Sequence, residues 1–436
     1  MGLVQLRRTV VAPASVVTAA PSVISSDCGG EYDVLVLDAA TKQSLASVRS
    51  LGRAGLRVVA GECFAECARA SPVVGFRSRH CLHNLVLPSY ADDANDFGAK
   101  VVQFVRKHPT RVVLPTMDGS ISALTPRRAE LAELGCVLAL PSDEALAVAN
   151  DKDRTLAIAE QLAIPYPRSV RIDVRDQVPA VLDSFRFPVV LKPTISWVPG
   201  APARLAPVDV VDKAEAASAI EVFLDAGARV LVQEWASGQR EGVSLFVAGE
   251  EVLACCAHVA LRTSPPLGGA SVMRKSVLPP PDIYAAAVSL VKAIGLTGVC
   301  EVEFRRDAAG RPLLMEVNAR LAGTIENAVR SGVDLPRMIW QWATGQPVTP
   351  VAGYQTGVRT RWLRGDMRWL RDNYGRSGRP DSVSLARAVC VFGTEFIKTH
   401  HYDCIDRRDL GPAFAELRNT AIAVRRSWNS TSSPSA

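Results

Sequence analysis

Two of the commonest glycine devices for cradling a nucleotide are missing from this sequence. There is no Gly-x-x-x-x-Gly-Lys-Ser/Thr loop and no Gly-x-Gly-x-x-Gly turn, so a bound nucleotide would have to be held another way. No apolar run reaches the ~20 residues that a bilayer span requires, and no membrane partner is expected. No internal repeat is visible, which argues against a solenoid or a propeller. A charge of one sign is also lacking: 50 Lys and Arg stand against 44 Asp and Glu, a net of +6. That is a weak pull toward anions and no ground for a nucleic-acid partner. The N-terminus lacks a clean secretion signal, because Pro13 and several Ser and Thr residues interrupt the mildly apolar stretch after Arg7 and Arg8. A disordered leader over 1–30 is the expectation.

What is present is ordinary globular material, 48% hydrophobic and 22% charged, in a chain long enough for two or three domains. The 10 cysteines mostly sit in apolar runs such as Leu253-Ala254-Cys255-Cys256, which fits buried free thiols in a reducing compartment. Cys63, Cys67, His80 and His83 approach a zinc spacing, but the histidines stand too close together and no ββα pattern surrounds them.

From Tyr32 the pattern alternates. Strands are expected at Tyr32–Asp38, Arg57–Ala60, Asn84–Leu87, Arg111–Leu114 and Cys136–Leu140, with helices between them. Alternation at this spacing predicts a parallel sheet covered on both faces over 31–140. Gly55 is placed to stop the first helix. Ser142, with Asp143 and Glu144 after it, starts another. From 141 to 352 strands come in pairs, with turns at Gly249-Glu250-Glu251 and Asp307–Gly310, an antiparallel-rich α+β region. An Arg-rich helical extension over 353–426 and a disordered tail over 427–436 complete the expected order. Arg359, Arg361, Arg364, Arg368 and Arg371 read as a solvated helix face.

The chemistry concentrates in Gly298-Val299-Cys300-Glu301-Val302-Glu303-Phe304 and Leu313-Leu314-Met315-Glu316-Val317-Asn318-Ala319-Arg320. In a strand, Glu301 and Glu303 share a face, as do Glu316 and Asn318. A hairpin can thus project Glu303, Glu316 and Asn318 into one spot. Burying unpaired carboxylates is costly, and an all-oxygen set suits Mg²⁺ or Mn²⁺ shared with substrate phosphates. Arg320 on the same side could hold an anionic oxygen in a fork. The competing reading, outward-facing strand carboxylates, sits poorly with the apolar partner face.

This hairpin resembles the metal-binding end of ATP-grasp enzymes, and further segments resemble that superfamily in the right order over residues 32 to 350. Lys152, in Asn150-Asp151-Lys152, resembles the helix-start lysine on the ATP phosphates. Lys192, in Phe187–Pro193, resembles the second phosphate lysine. Glu234, Trp235 and Ala236 resemble the adenine hinge, and Glu241 the acid on the ribose hydroxyls. The resemblance implies a pre-ATP-grasp α/β domain, a two-lobed ATP-grasp domain, and ATP with Mg²⁺ (or Mn²⁺) as cofactors. It also implies the cytoplasm, where ATP is, and pairing into a homodimer is the analogy's further expectation. The phosphate flap departs from the pattern: Thr194–Pro202 has one glycine and two prolines, with Ser196 left to cover the phosphates.

Within the superfamily the chain resembles the carboxylate–amine ligases, including carbamoyl-phosphate-synthase-like and D-aspartate-ligase-like enzymes. The segment in question carries His258, Arg262, the loop Gly268-Gly269-Ala270-Ser271, and Arg274. His258, Arg262 and Arg274 are expected on the acceptor carboxylate or acyl phosphate, with Gly268, Gly269 and Ser271 offering backbone N–H groups. A flexible loop between solvated basic residues is the alternative. Arg320 and Arg274 are the expected oxyanion stabilisers, and Asp118, at a strand end, is a substrate contact by position alone. The resulting expectation is an ATP-dependent C–N ligase acting on a small carboxylic acid and an amine through an acyl phosphate. A grasp enzyme with a non-amine acceptor and an ATP-binding regulator remain open.

Overall fold

The computed structural model describes residues 3–5, 31–63, 71–197, 205–266, 269–375 and 382–431. Its first layer is a five-stranded, all-parallel sheet in the order Cys81–Leu87, Val58–Cys63, Tyr32–Val36, Thr110–Leu114 and Val137–Leu138. The central strands are near-continuous apolar runs because helices cover both faces. Val34, Leu35 and Val36 are wholly buried. The helix Lys42–Arg53 begins where Thr41 accepts a hydrogen bond from Ser44 N, and it buries Leu45, Val48 and Leu51. Gly55, at φ 86°, turns the chain away, a conformation that glycine adopts without strain.

Ser142 caps Asp143–Ala149, and Asp151 caps Lys152–Gln161 by accepting from Asp153 N and Arg154 N. That second cap sets Lys152 at a helix start. A four-stranded antiparallel sheet follows, in the order Ser169–Ile172, Val230–Glu234, Val189–Pro193 and Val208–Val210. Its inner face packs a core of its own, including Ile172, Leu191, Ile220 and Val232.

The largest sheet has seven strands: Pro312–Asn318, Gly298–Arg306, Arg240–Ala248, Glu251–Ser264, Ala270–Val277, Arg359–Arg361 and His401–Tyr402. One of its faces shares a core with the parallel sheet, where Leu35, Phe97, Leu245 and Val302 belong to a single cluster. The helical extension therefore lends two strands to this sheet, the last one parallel to its neighbour. Arg359 and Arg361 lie on a strand and not on a solvated helix face. Arg361 is fully buried against Asp366 at 2.7 Å. The final helix, Gly411–Thr431, runs into the segment expected to be a disordered tail. At the other end, Leu3–Gln5 pairs with Gly353–Gln355 inside the expected leader. The rest of the leader, Cys67 of the zinc spacing, most of the flap, and Gly268 lie outside the described residues. Among the described residues, no helix is long and apolar enough to cross a membrane.

Candidate active site

A cavity of about 630 Å³ lies where the two antiparallel sheets, the parallel sheet and the extension meet. Its floor is the hairpin. Register sets Glu303 opposite Glu316 and Glu301 opposite Asn318, and directly opposed residues of an antiparallel pair share a face. Three carboxylates and an amide thus crowd one buried surface. Burial pushes the Glu303 carboxyl up, Arg240 at 3.2 Å pulls it back, and the facing Glu316 and Glu301 raise it again, leaving it well above the usual range. Burial would raise Glu316 as well, but Lys152, Lys192, Arg240 and Arg320 together hold it below its ordinary value. Two carboxylates forced apart in this way mark a site built around extra positive charge. Glu301 accepts from Ser244 Oγ at 3.0 Å and from Thr324. Its other oxygen is buried with no hydrogen-bond partner among the described residues.

The lysines enter from two elements. Lys152 Nζ donates to Ser196 Oγ at 2.9 Å, and Lys192 Nζ donates to Gln233 Oε1 at 2.6 Å. Burial lowers Lys192 to about 8; Lys152 and Arg305 add to this, while Glu316 and Glu303 oppose it. Glu234, Trp235 and Ala236 line the same cavity. Arg305 fixes this stretch by donating to Ala236 O at 3.2 Å, with Trp235 beneath its guanidinium. Gly269 and Ser271 also reach the cavity wall.

Four sequence assignments need correction. Glu241 is not at the cavity. It sits one residue out of phase with Arg240 and Gly242, which face the hairpin carboxylates, and pairs with Arg306 on the opposite face at 2.9 Å. His258 lies over Gly242 on the same face as the hairpin carboxylates, buried 3.9 Å from Glu301, and does not line the cavity. Arg262 makes a bidentate pair with Asp366 at 2.6 Å, which docks the extension's helix on the sheet. Arg274 is wholly buried and bonded to Asp403 at 2.6 Å. Asp118 acts differently from a simple substrate contact. It clamps Arg320, whose Nε and Nη2 donate to it at 2.6 and 3.3 Å, beside an adjoining pocket of about 290 Å³.

Several cavity residues went unassigned in the sequence: Lys42, Gln233, Arg240, Glu301, Trp362 and Arg364. Lys42 had a usable signal, since it opens the first helix after a parallel strand, the edge where open α/β sheets place ligands. Arg240 and Gln233 had none, because their direction depends on strand pairing far away in the chain.

A family model described as "ATP-grasp in the biosynthetic pathway with Ter operon" matches residues 262–365. Over that segment the chain is similar to the ATP-grasp superfamily. The carbamoyl phosphate synthase large chain of Methanosphaerula palustris is 25% identical over 309 residues, 65% of this chain but only 28% of that relative's length. Among solved structures, the biotin carboxylase of Campylobacter jejuni superposes with a TM-score of 0.59 and 13% identity, covering 75% of this chain and 74% of that one. The L-amino acid ligase of Bacillus licheniformis gives a TM-score of 0.54 and 17% identity, covering 72% and 74%. These likenesses establish the grasp architecture: a small lobe with Lys192, a large lobe with the hairpin, and an α/β domain in front.

Proposed function

We propose that this ATP-grasp chain is an ATP-dependent ligase that activates a carboxylate and joins it to an amine. The observation that carries this reading is one cavity in which Glu303 opposes Glu316, and Glu301 opposes Asn318, with Lys152 and Lys192 facing them. Among the described residues, no group of three His, Cys, Asp or Glu side chains could hold a metal alone. Two carboxylates and an amide fit an ion that takes its remaining ligands from phosphates and water, as Mg²⁺ does. Glu303, Glu316 and Asn318 would hold it, and the unpartnered Glu301 oxygen adds to the pull for a cation. When bound, the ion neutralises triphosphate charge during transfer of the γ-phosphoryl group.

The chain's own groups supply the rest. Lys152, oriented by Ser196, and Lys192, oriented by Gln233, carry phosphate charge. Glu234 to Ala236 offer backbone groups to the base. Arg320 spends Nε and Nη2 on Asp118, which fixes the plane of the guanidinium. That would leave Nη1 for the oxyanion that forms when the amine attacks the acyl phosphate. In that step the C–N bond forms, the bond from the acyl carbon to the phosphate oxygen breaks, and phosphate leaves.

The test is ADP release from Mg-ATP with pooled small acids and amines, repeated with hydroxylamine as the nucleophile. Release that needs one acid and one amine, yields a hydroxamate with hydroxylamine, and falls at least ~100-fold in Glu316→Gln supports the ligase. Release independent of any amine points to a non-amine acceptor. Tight Mg-ATP binding without turnover in any pool overturns the enzyme reading in favour of a regulator.

A further inference from the structure

The cavity has a wall that the nucleotide chemistry does not use. The extension contributes Trp362, Arg364, Arg368 and Glu416 to it, and the first helix of the parallel domain contributes Lys42. Elsewhere in this part of the molecule, buried arginines are matched to acids. Arg262 and Arg361 share Asp366, Arg274 takes Asp403, and Arg49 takes Asp409. Arg364 and Arg368 break that pattern. Both are half-buried at the cavity, and neither has a carboxylate within ion-pair distance among the described residues.

The geometry around them is fixed. The Trp362 ring lies 5.3 Å from the Arg368 guanidinium and 5.2 Å from Lys42 Nζ. The indole N–H donates to Glu416 at 2.6 Å, and Lys42 Nζ donates to Ser271 O at 2.6 Å. Lys42 Cε stands 2.9 Å from where a Cβ on Gly323 would be, against the loop that follows Arg320. Two cations, Lys42 and Arg368, therefore flank one indole, and Arg364 lines the same cavity wall next to the proposed reacting end.

The nearby acids are engaged elsewhere: Asp372, whose charge Arg368 feels, accepts from Arg371 at 2.8 Å and from Ser264 Oγ at 3.0 Å. Asp403 is bonded to Arg274 and lies 3.8 Å from Lys42. Glu416 accepts from the Trp362 indole at 2.6 Å, and burial raises its carboxyl from the ordinary value. Burial lowers Lys42 to about 7, with Arg274 adding to the effect and Asp403 opposing it. Lys42, lowered mainly by burial, regains charge when an anion arrives beside it.

We propose that Lys42, Arg364 and Arg368 form a subsite for an anionic group, carboxylate or phosphate, that the substrate carries in addition to its reacting atoms. Guanidinium forks match both groups, and the indole keeps water from one side. The substrate class is then an acid with a second anionic group, such as a dicarboxylic or phosphorylated acid. The word "substrate" rests on the ligase reading; the anion site itself does not.

The test is calorimetric titration of the full chain with succinate and with inorganic phosphate, in the presence of Mg-ADP, for the parent protein and the Arg364→Gln/Arg368→Gln variant. Mg-ADP affinity is measured for each separately. At least one anion is expected to bind the parent and to weaken roughly 10-fold or more in the variant, with Mg-ADP affinity unchanged. Succinate binding alone assigns the site to carboxylates, and phosphate binding alone to phosphoryl groups. If neither anion binds the parent, or the substitutions change nothing, the proposal is overturned. If the double variant also loses Mg-ADP, Lys42→Met decides: it keeps the aliphatic stem, and unchanged anion affinity in it overturns the proposal. Failure of the parent to bind Mg-ADP would sink the ligase reading while leaving the anion result intact.

Discussion

His258 illustrates how much a single buried group can reveal. Burial drives its pKa from 6.5 to about 4, with Glu301 opposing and Arg274, Arg240 and Lys42 adding to the drop. The folded state thus holds this imidazole neutral, while the unfolded chain binds a proton below pH ~6.5. Between pH 6.5 and 4 the unfolded state takes up more protons, so stability falls as pH falls through that window. The contribution is complete above the window and amounts to ~3 kcal/mol across it. His258→Gln should flatten the decline, as read from denaturant midpoints at pH 7, 6, 5 and 4. An unchanged slope would show that other groups carry it. At this scale the sequence was legible wherever strand alternation decides direction, as for Glu303, Glu316 and Asn318. It misled at Glu241, where spacing from Glu234 suggested a role but the strand turned the side chain to the other face. Arg262 and Arg274 were illegible for a different reason. Their acids, Asp366 and Asp403, lie more than a hundred residues away, and nothing local names a partner at that separation.

Elements show the same division. Caps and turns are local, so Ser142, Asp151 and Asp307–Gly310 are legible in the amino-acid order alone. Strands of two or three residues, such as Gly353–Gln355, Arg359–Arg361 and His401–Tyr402, are too short for a period to show. Arg359–Arg361 and His401–Tyr402 exist because the edge of the large sheet offers them a ladder, and Gly353–Gln355 because Leu3–Gln5 pairs with it. Inside that sheet, Gly242 faces His258 across the strand pair, and a Cβ at that position would land on the imidazole. Gly242→Ala should force the strands apart and cost about 1–3 kcal/mol. Combining it with His258→Ser, which opens space, should recover much of the loss. Purely additive losses in urea denaturation would show that the crowding lies elsewhere.

On the scale of the whole molecule, Arg49 joins the two ends of the chain. It is fully buried in the first helix and donates to Asp409 Oδ2 at 2.8 Å, Asp403 O at 2.8 Å, Cys404 O at 3.1 Å and Asp409 O at 3.0 Å. Arg49→Met would leave Asp409 buried without its main cation, though Ser78 and Arg79 N still donate to it. A loss of about 3–5 kcal/mol is expected, measured as a lower chemical denaturation midpoint. A change below ~1 kcal/mol would mean that the extension docks without this contact.

That stitch also has a mechanical consequence. The parallel domain, the large sheet and the extension share cores and buried ion pairs, so they behave as one fixed bench. The four-stranded lobe has a core of its own and meets the bench at Leu231, at the backbone bond from Lys152 N to Thr194 O at 2.9 Å and at the Arg171–Asp153 pair at 2.7 Å. Lys192 rides on that lobe, whereas Lys152, the hairpin carboxylates, Arg320 and the extension's arginines belong to the bench. A shift of that lobe against the bench would therefore carry Lys192, while Lys152, the hairpin carboxylates and Arg320 keep their places relative to one another.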